Sequence, residues 1–278
     1  MRLNPRYGTD PVITLDGRGA DVLEPLVRQR RRLAAALGGF SDEQWAHPSR
    51  CEGWTNRDVI VHLESTNQFW SYSIASGLAG EPTRFLVGFD PVASPAELVA
   101  GAGDVDTGAL LDRFVASTDA LTTLLASLDD DDWSKLAEAP PGHLTVSAVT
   151  HHALWDSWVH ERDVLVPLGI EPDREDDEIA ACLRWVAGIG PALSGIGDRH
   201  GVLTISATHP DLAVVVEIGD RIAVRNGTAA ADADLHLEGD ARDLVESLSL
   251  RAPLPAAVPD TSAWMLRGLA KAFDAEPA

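Results

Sequence analysis

Cysteine is scarce in this chain of 278 residues, which holds only Cys51 and Cys182. Two cysteines outside any Cys-x-x-Cys pattern exclude a disulfide framework, a thiolate zinc module and a dithiol redox motif, and both read as ordinary reduced thiols. Long apolar runs are missing too. No stretch approaches the ~18 consecutive apolar residues of a membrane-spanning helix, and the start Met1-Arg2-Leu3-Asn4-Pro5 has no signal-peptide hydrophobic region. Positive charge is in short supply: 22 Lys and Arg stand against 43 Asp and Glu, a formal net charge of −21. Such a field repels nucleic-acid phosphates and anionic lipid surfaces alike. The expectation is a cytoplasmic protein, monomer or homodimer, whose partners are small molecules, with no nucleic acid and no membrane.

Apolar residues, by contrast, make up 45% of the chain, enough for a sizeable core, and the length exceeds the usual single domain. Residues 21–38 carry apolar side chains at helical spacing and stop at Gly38 and Gly39, which predicts a first helix. Ser41 with Gln44 spells a capping box for a short helix. Thr55 with Asp58 begins a longer one, ending near residues 77–80, with Val59, His62, Leu63, Thr66, Phe69 and Trp70 on one face. Residues 81–103, rich in Pro and Gly, read as loop with a short helical turn near Ser94, from which Arg84 and Phe85 would overhang a pocket. A third helix is expected over residues 107–128. After Pro140-Pro141-Gly142, Thr145 caps a fourth that runs to Gly169. Four long helices joined by breakers predict a bundle.

The fourth helix has side chains with work on both sides. His152, Asp156, His160 and Asp163 recur on one face while Leu154, Trp158 and Leu165 occupy the other, so a fifth helix over residues 176–189 is expected to cover the second face. Beyond Gly195 the texture becomes strand-like at residues 202–207 and 212–218. Gly219-Asp220 signals a hairpin into residues 221–225, and another strand at 233–237 leads into helices over 241–250 and 264–273. The fold class is thus a helical bundle over residues 1–196, followed by a small α+β domain over 197–278.

His62 stands among apolar residues, where a lone histidine is ordinarily a core residue bonded to a backbone carbonyl. Asp156 changes that reading, because an inward carboxylate is costly unless it is paired or bound to a cation. His160 follows one turn later, so its ring nitrogen and the Asp156 oxygen can converge on one point, either as a metal site with His62 or as a buried Asp-His pair. Imidazoles and a carboxylate without thiolate suit zinc first, with nickel, manganese and iron also compatible. His152 is a further candidate at the pocket wall, as ligand, proton carrier or cofactor contact. Asp58 is either a second partner behind His62 or a cap, and Asp163 either supports a ligand or is a paired or solvated charge. His47, His143, His151, His200, His209 and His236 read as surface or loop residues, and Trp155 and Trp158 as packing aromatics.

At these residues the chain resembles the DinB-like metal-binding family, in its mycothiol-dependent maleylpyruvate isomerase branch. The matching pieces are Cys51-Glu-Gly-Trp-Thr-Asn-Arg-Asp-Val-Ile-Val-His-Leu and Trp155-Asp-Ser-Trp-Val-His-Glu-Arg-Asp-Val, with a third at residues 231–248 followed by Arg251. The resemblance implies a DinB-like four-helix bundle with one metal, then a small sterol-carrier-like α/β domain. It implies His62, Asp156 and His160 as the ligands, although the isomerase carries glutamate where this chain has the shorter Asp156. Arg251, and after it Arg225, matches an arginine of the C-terminal domain used in catalysis. The implied chemistry is activation of mycothiol or a similar thiol: the thiolate adds to an electrophilic double bond, the bond rotates and the thiol leaves, or the adduct is kept as thiol transfer. Arg251 or Arg84 would neutralise a substrate carboxylate. Two other readings stand beside it: a non-catalytic ligand-binding or regulatory protein, and a metal-dependent hydrolase of a thiol or amide conjugate.

Overall fold

The computed structural model describes residues 2–194, 199–227 and 232–274. Its helical part comprises α1 (Leu23–Leu37), α2 (Asp42–Ala46), α3 (Asn56–Leu78), α4 (Ala93–Gly101), α5 (Thr107–Ala126) and α6 (Val146–Leu165). The long helices α1, α3, α5 and α6 form the bundle, with α1 and α3 each packed against both α5 and α6. Both predicted capping boxes form. Ser41 accepts from the Gln44 amide while Gln44 Oε1 accepts from the Ser41 amide at 2.9 Å, and Thr55 and Asp58 are arranged in the same way. Asp58 is therefore the capping-box partner of Thr55, which starts α3 two turns before His62.

The axis of the molecule is α6, buried along almost its whole length. On one side lie α1 and α3; on the other lies α7 (Asp176–Leu193), the expected fifth helix. Trp155 and Trp158 are core residues, as predicted. His151 and His143, expected at the surface, are buried instead. His151 falls on the covered side of α6 against the Ser147 carbonyl at 2.8 Å, and burial lowers its pKa to about 4. His143 bridges the carbonyls of Gly8 and Thr83, at 3.0 Å each.

A five-stranded sheet follows, built from β1 (Ile13–Leu15), β4 (Gly201–Thr208), β5 (Leu212–Ile218), β6 (Ile222–Asn226) and β7 (Leu235–Asp240) in the order β1-β6-β5-β4-β7. The hairpins β4–β5 and β5–β6 are antiparallel, whereas β1 joins β6 and β7 joins β4 in parallel. Alternate residues Leu203, Ile205, Val214, Val216, Ile222 and Val224 are buried, as the period of two requires. The sheet packs on α7, with α8 (Ala241–Leu248) and α9 (Arg267–Ala272) beside it, so α7 is shared by the bundle and the sheet. The division expected at residue 197 falls within 195–198, outside the described residues.

Three elements differ from expectation. The turn near Ser94 is the full helix α4, started by Asp90, whose carboxylate accepts from the amides of Val92 and Ala93 at 3.0 Å each. Pro140-Pro141 is the turn of an unpredicted hairpin, β2 (Leu136–Ala139) with β3 (Gly142–Thr145). The three residues of β1 are too few to show a period. The β2 strand lies against α3 at Gly77, where an added Cβ would stand 2.0 Å from the Leu136 carbonyl oxygen. Backbone cannot yield as a side-chain tip can, so Gly77→Ala is expected to cost about 2 kcal/mol in denaturant unfolding, against near neutrality for the exposed Ala79→Ser.

Candidate metal centre

The spacing of Asp156 and His160 along α6 aligns them one turn apart, and the cap of α3 sets His62 opposite. Asp156 Oδ1 lies 3.6 Å from His62 Nε2 and 3.6 Å from His160 Nε2, and all three donor atoms lie within 4.8 Å of one another. At 3.6 Å neither imidazole is hydrogen-bonded to the carboxylate. The separation is instead close to the roughly 3.4 Å between two donors that share one tetrahedral ion ~2.1 Å away. The shorter Asp156 thus reaches both imidazoles, and the donor set fits a divalent cation. Burial would raise the Asp156 carboxyl, but His62 and His160 hold it well below the usual carboxylate range. Burial likewise disfavours charged His160. The Cys51 sulfur and the Asp163 and Asp156 carboxylates outweigh that effect, and its pKa is held up at about 10.

Asp163, fully buried, sits behind His160. Its Oδ2 lies 2.9 Å from His160 Nδ1, so a proton on Nδ1 donated to Asp163 leaves the Nε2 lone pair facing Asp156 and His62. Two arginines grip the same carboxylate: Arg251 with Nε and Nη2 at 2.8 Å each, and Arg50 with Nε at 2.9 Å. Burial favours the neutral acid, yet Arg251 and His160 keep Asp163 ionised. The Cys51 thiol donates to Asp163 Oδ2 at 3.2 Å, with its sulfur 3.6 Å from His160 Nδ1 and 3.7 Å from Arg251 Nη2. Cys51, His160 and Asp163 are therefore close enough to form a second donor group. In that group two guanidiniums already occupy the carboxylate and would repel a cation, so the His62, Asp156 and His160 set is the better metal site.

The other sequence candidates fall elsewhere. His152, 5% exposed, is enclosed by Trp70, Trp155 and Trp185 with ring centroids 4.8, 5.5 and 5.0 Å away, and burial lowers its pKa to about 4. Arg84 lies on an exposed loop with its guanidinium 5.5 Å from the Tyr7 ring centre. Arg225 pairs with Glu217 across β5 and β6. No hydrogen bond or ion pair links either arginine to His62, Asp156 or His160 among the described residues. Arg251 does belong to the site, through Asp163. Sequence reasoning passed over Arg50 and Cys51, which precede the capping box of α3 and meet α6 only in the fold. It also passed over Arg30, wholly buried on α1, which donates to the Ala153 carbonyl at 3.1 Å and supplies a positive charge opposite Asp156.

Comparison with known proteins identifies relatives of the fold. Two solved structures align over nearly the whole molecule. A crystal structure of the mycothiol-dependent maleylpyruvate isomerase covers 87% of this chain and 95% of that one, at 14% identity and a TM-score of 0.61. A histidine-to-alanine mutant of the isomerase covers 84% and 90%, at 13% identity and a TM-score of 0.60. YfiT from Bacillus subtilis, described as a probable metal-dependent hydrolase with an unusual four-helix bundle topology, covers 61% of this chain at 17% identity and a TM-score of 0.42. Among curated protein sequences nothing matches. The family model of the mycothiol maleylpyruvate isomerase N-terminal domain matches residues 26–165, half of the chain, from within α1 to the end of α6. By that match, with a fold shared along most of its length, the chain belongs to the mycothiol maleylpyruvate isomerase N-terminal domain family.

Proposed function

We propose that the chain is a metal-dependent enzyme that activates a low-molecular-weight thiol of the mycothiol kind, for cis–trans isomerisation of an unsaturated acid or for thiol transfer to an electrophile. The observation that carries this reading is the convergence of His62, Asp156 and His160, from two helices, at distances one tetrahedral ion would bridge. Zinc is the first choice for two imidazoles and a carboxylate. His62, Asp156 and His160 would hold the ion and leave it room for a further ligand, and the ion would favour the thiolate form of a thiol bound there at neutral pH. The remaining work belongs to the chain. Asp163 holds the His160 ring so that Nε2 faces the site. With one carboxylate among the three donors, a bound divalent ion would leave a net positive centre that favours a thiolate in an otherwise acidic protein. Arg251, whose Nη1 has the Ser249 carbonyl at 3.4 Å as its hydrogen-bond partner among the described residues, is the first candidate to meet the acid group of a substrate. Arg84 and Arg225 are the alternates.

The direct test is binding of a mycothiol-type thiol to the metal-loaded chain. The expected result is a rise in melting temperature that needs both metal and thiol, together with thiol consumption when an unsaturated acid or a model electrophile is added. A metal-loaded chain that ignores the thiol and instead cleaves an amide or thiol conjugate would replace this reading with the hydrolase.

A pH dependence follows from His160. Its folded pKa, about 10, stands above the ~6.5 of a free imidazole. In the metal-free chain this contribution to stability is complete below about pH 6.5 and is lost as pH rises through about 10. Metal must displace the same proton, so affinity should move the other way, tightening up to ~tenfold per pH unit below pH 10. Melting curves of the metal-free chain and competitive metal titrations between pH 6.5 and 9 check both signs. Affinity that is flat over that range would place the proton elsewhere.

A further inference from the structure

The segment from Glu246 to Arg251, at the end of α8, holds on to α6 around His160 by polar contacts. Arg251 takes both oxygens of Asp163. Glu246 pairs with Arg50, at 2.7 and 3.2 Å, and with Arg162 Nε at 2.9 Å. Ser249 Oγ accepts from Trp155 Nε1 at 2.8 Å. Arg50 closes the ring: it touches Asp163 with Nε and Glu246 with its two terminal nitrogens. One buried carboxylate therefore connects a ligand of the candidate metal centre on one side to the C-terminal segment on the other.

We infer that Asp163 is a positioning residue that couples metal loading to the docking of the 246–251 segment. The inference rests on the metal centre proposed above. His160 offers Nε2 to the site when its Nδ1 proton is held by Asp163, and Asp163 keeps its orientation through Arg251 and Arg50. An arginine that touches no metal thus sets how well a ligand on another element is presented. Coupling between two sites is reciprocal: if docking of the segment tightens metal binding, metal binding tightens docking by the same factor. The arrangement gives Arg251 a role in holding the centre together besides any contact with substrate. A site that is complete only with the segment in place loads metal best in the closed molecule.

The test uses the full chain with Zn2+ affinity measured against a chelator, the visible absorption of the Co2+-loaded protein, and hydrogen exchange over residues 246–251 with and without Zn2+. Partners behind a metal-bound histidine commonly set 10–100-fold in metal affinity. Asp163→Asn is expected to weaken Zn2+ binding by that order and to shift the Co2+ bands. Arg251→Ala should weaken it by about tenfold, Arg251→Lys by less, and Lys271→Ala, an exposed change on α9, by nothing. In the wild type, Zn2+ should slow exchange at 246–251, and this slowing should disappear in Asp163→Asn. Should that variant fail to fold, Arg251→Ala and the wild-type exchange measurement decide the matter.

The inference is overturned while the metal centre stands if the wild type binds Zn2+ and the Arg251 variants bind it equally, with the same Co2+ spectrum and no metal effect on exchange. A sulfur-to-cobalt charge-transfer band in the wild type would make Cys51 and Asp163 ligands themselves and remove the positioning role. Wild-type protein that binds no divalent metal brings down the inference together with the proposed function.

Discussion

His160→Ala and His62→Ala should each abolish metal retention: near one equivalent of divalent metal in the wild type, purified without chelators, and less than a tenth of an equivalent in either variant. Removing one of three protein ligands leaves two donors and more water in the shell. The expected loss of affinity exceeds ~100-fold, larger than the loss from any residue behind the ligands. The variants should still fold, because each removed ring lies at the edge of the site with its side chain 12–13% exposed, so the cavity opens to water and is not sealed in the core. Circular dichroism with metal analysis on the same sample separates the two effects. Wild-type metal content in His160→Ala, with the fold intact, contradicts the assignment of that ligand.

Arg32→Met is expected to be the most damaging single change away from the site. Arg32 donates to Glu161 at 2.7 and 2.9 Å and to Glu178 at 2.8 and 3.1 Å, and both carboxylates are fully buried. Glu178 keeps Arg28 as a second partner at 2.9 Å, whereas Glu161 loses its guanidinium. An uncompensated buried charge costs about 3–5 kcal/mol, roughly a 10 °C fall in melting temperature for a chain of this size. Burial already raises the Glu161 carboxyl. Without Arg32 the rise is greater, so the folded state binds a proton that the unfolded state releases above about pH 4.5. Stability of the variant must then fall as pH increases, and the deficit should be smaller at pH 5 than at pH 8. Adding Glu161→Gln should recover more than ~1 kcal/mol. A loss below 1 kcal/mol, or one that does not change with pH, would show that Arg32 is not the compensating charge.

Much of the fold could be read from local chemistry. Ser41–Gln44 and Thr55–Asp58 are complete signals within four residues, and both form. The Gly219-Asp220 turn separates strands whose alternation carries into the sheet. The balanced faces of α6 foretold a helix covered on both sides, which α7 provides. Asp156 and His160 are legible because one helical turn sets their spacing. What escaped depends on contacts made at long range. Asp163 takes Arg50 from 113 residues away and Arg251 from 88 residues away, and no periodicity encodes such a meeting. Cys51 reads as an unremarkable thiol until the fold places it 3.2 Å from Asp163. For the same reason His143 and His151 looked superficial: His143 is enclosed by Tyr7, Gly8 and Thr83, and His151 lies near Arg184 of α7, none of them neighbours in the chain.

X-ray absorption at the metal edge of the purified full-length chain tests the central claim most directly, first alone and then with an added low-molecular-weight thiol. The account predicts about one equivalent of divalent metal with a shell of nitrogen and oxygen only, two imidazoles among them, and one sulfur at about 2.3 Å once the thiol is added. A protein without bound metal, or a sulfur in the shell before any thiol is present, would contradict it.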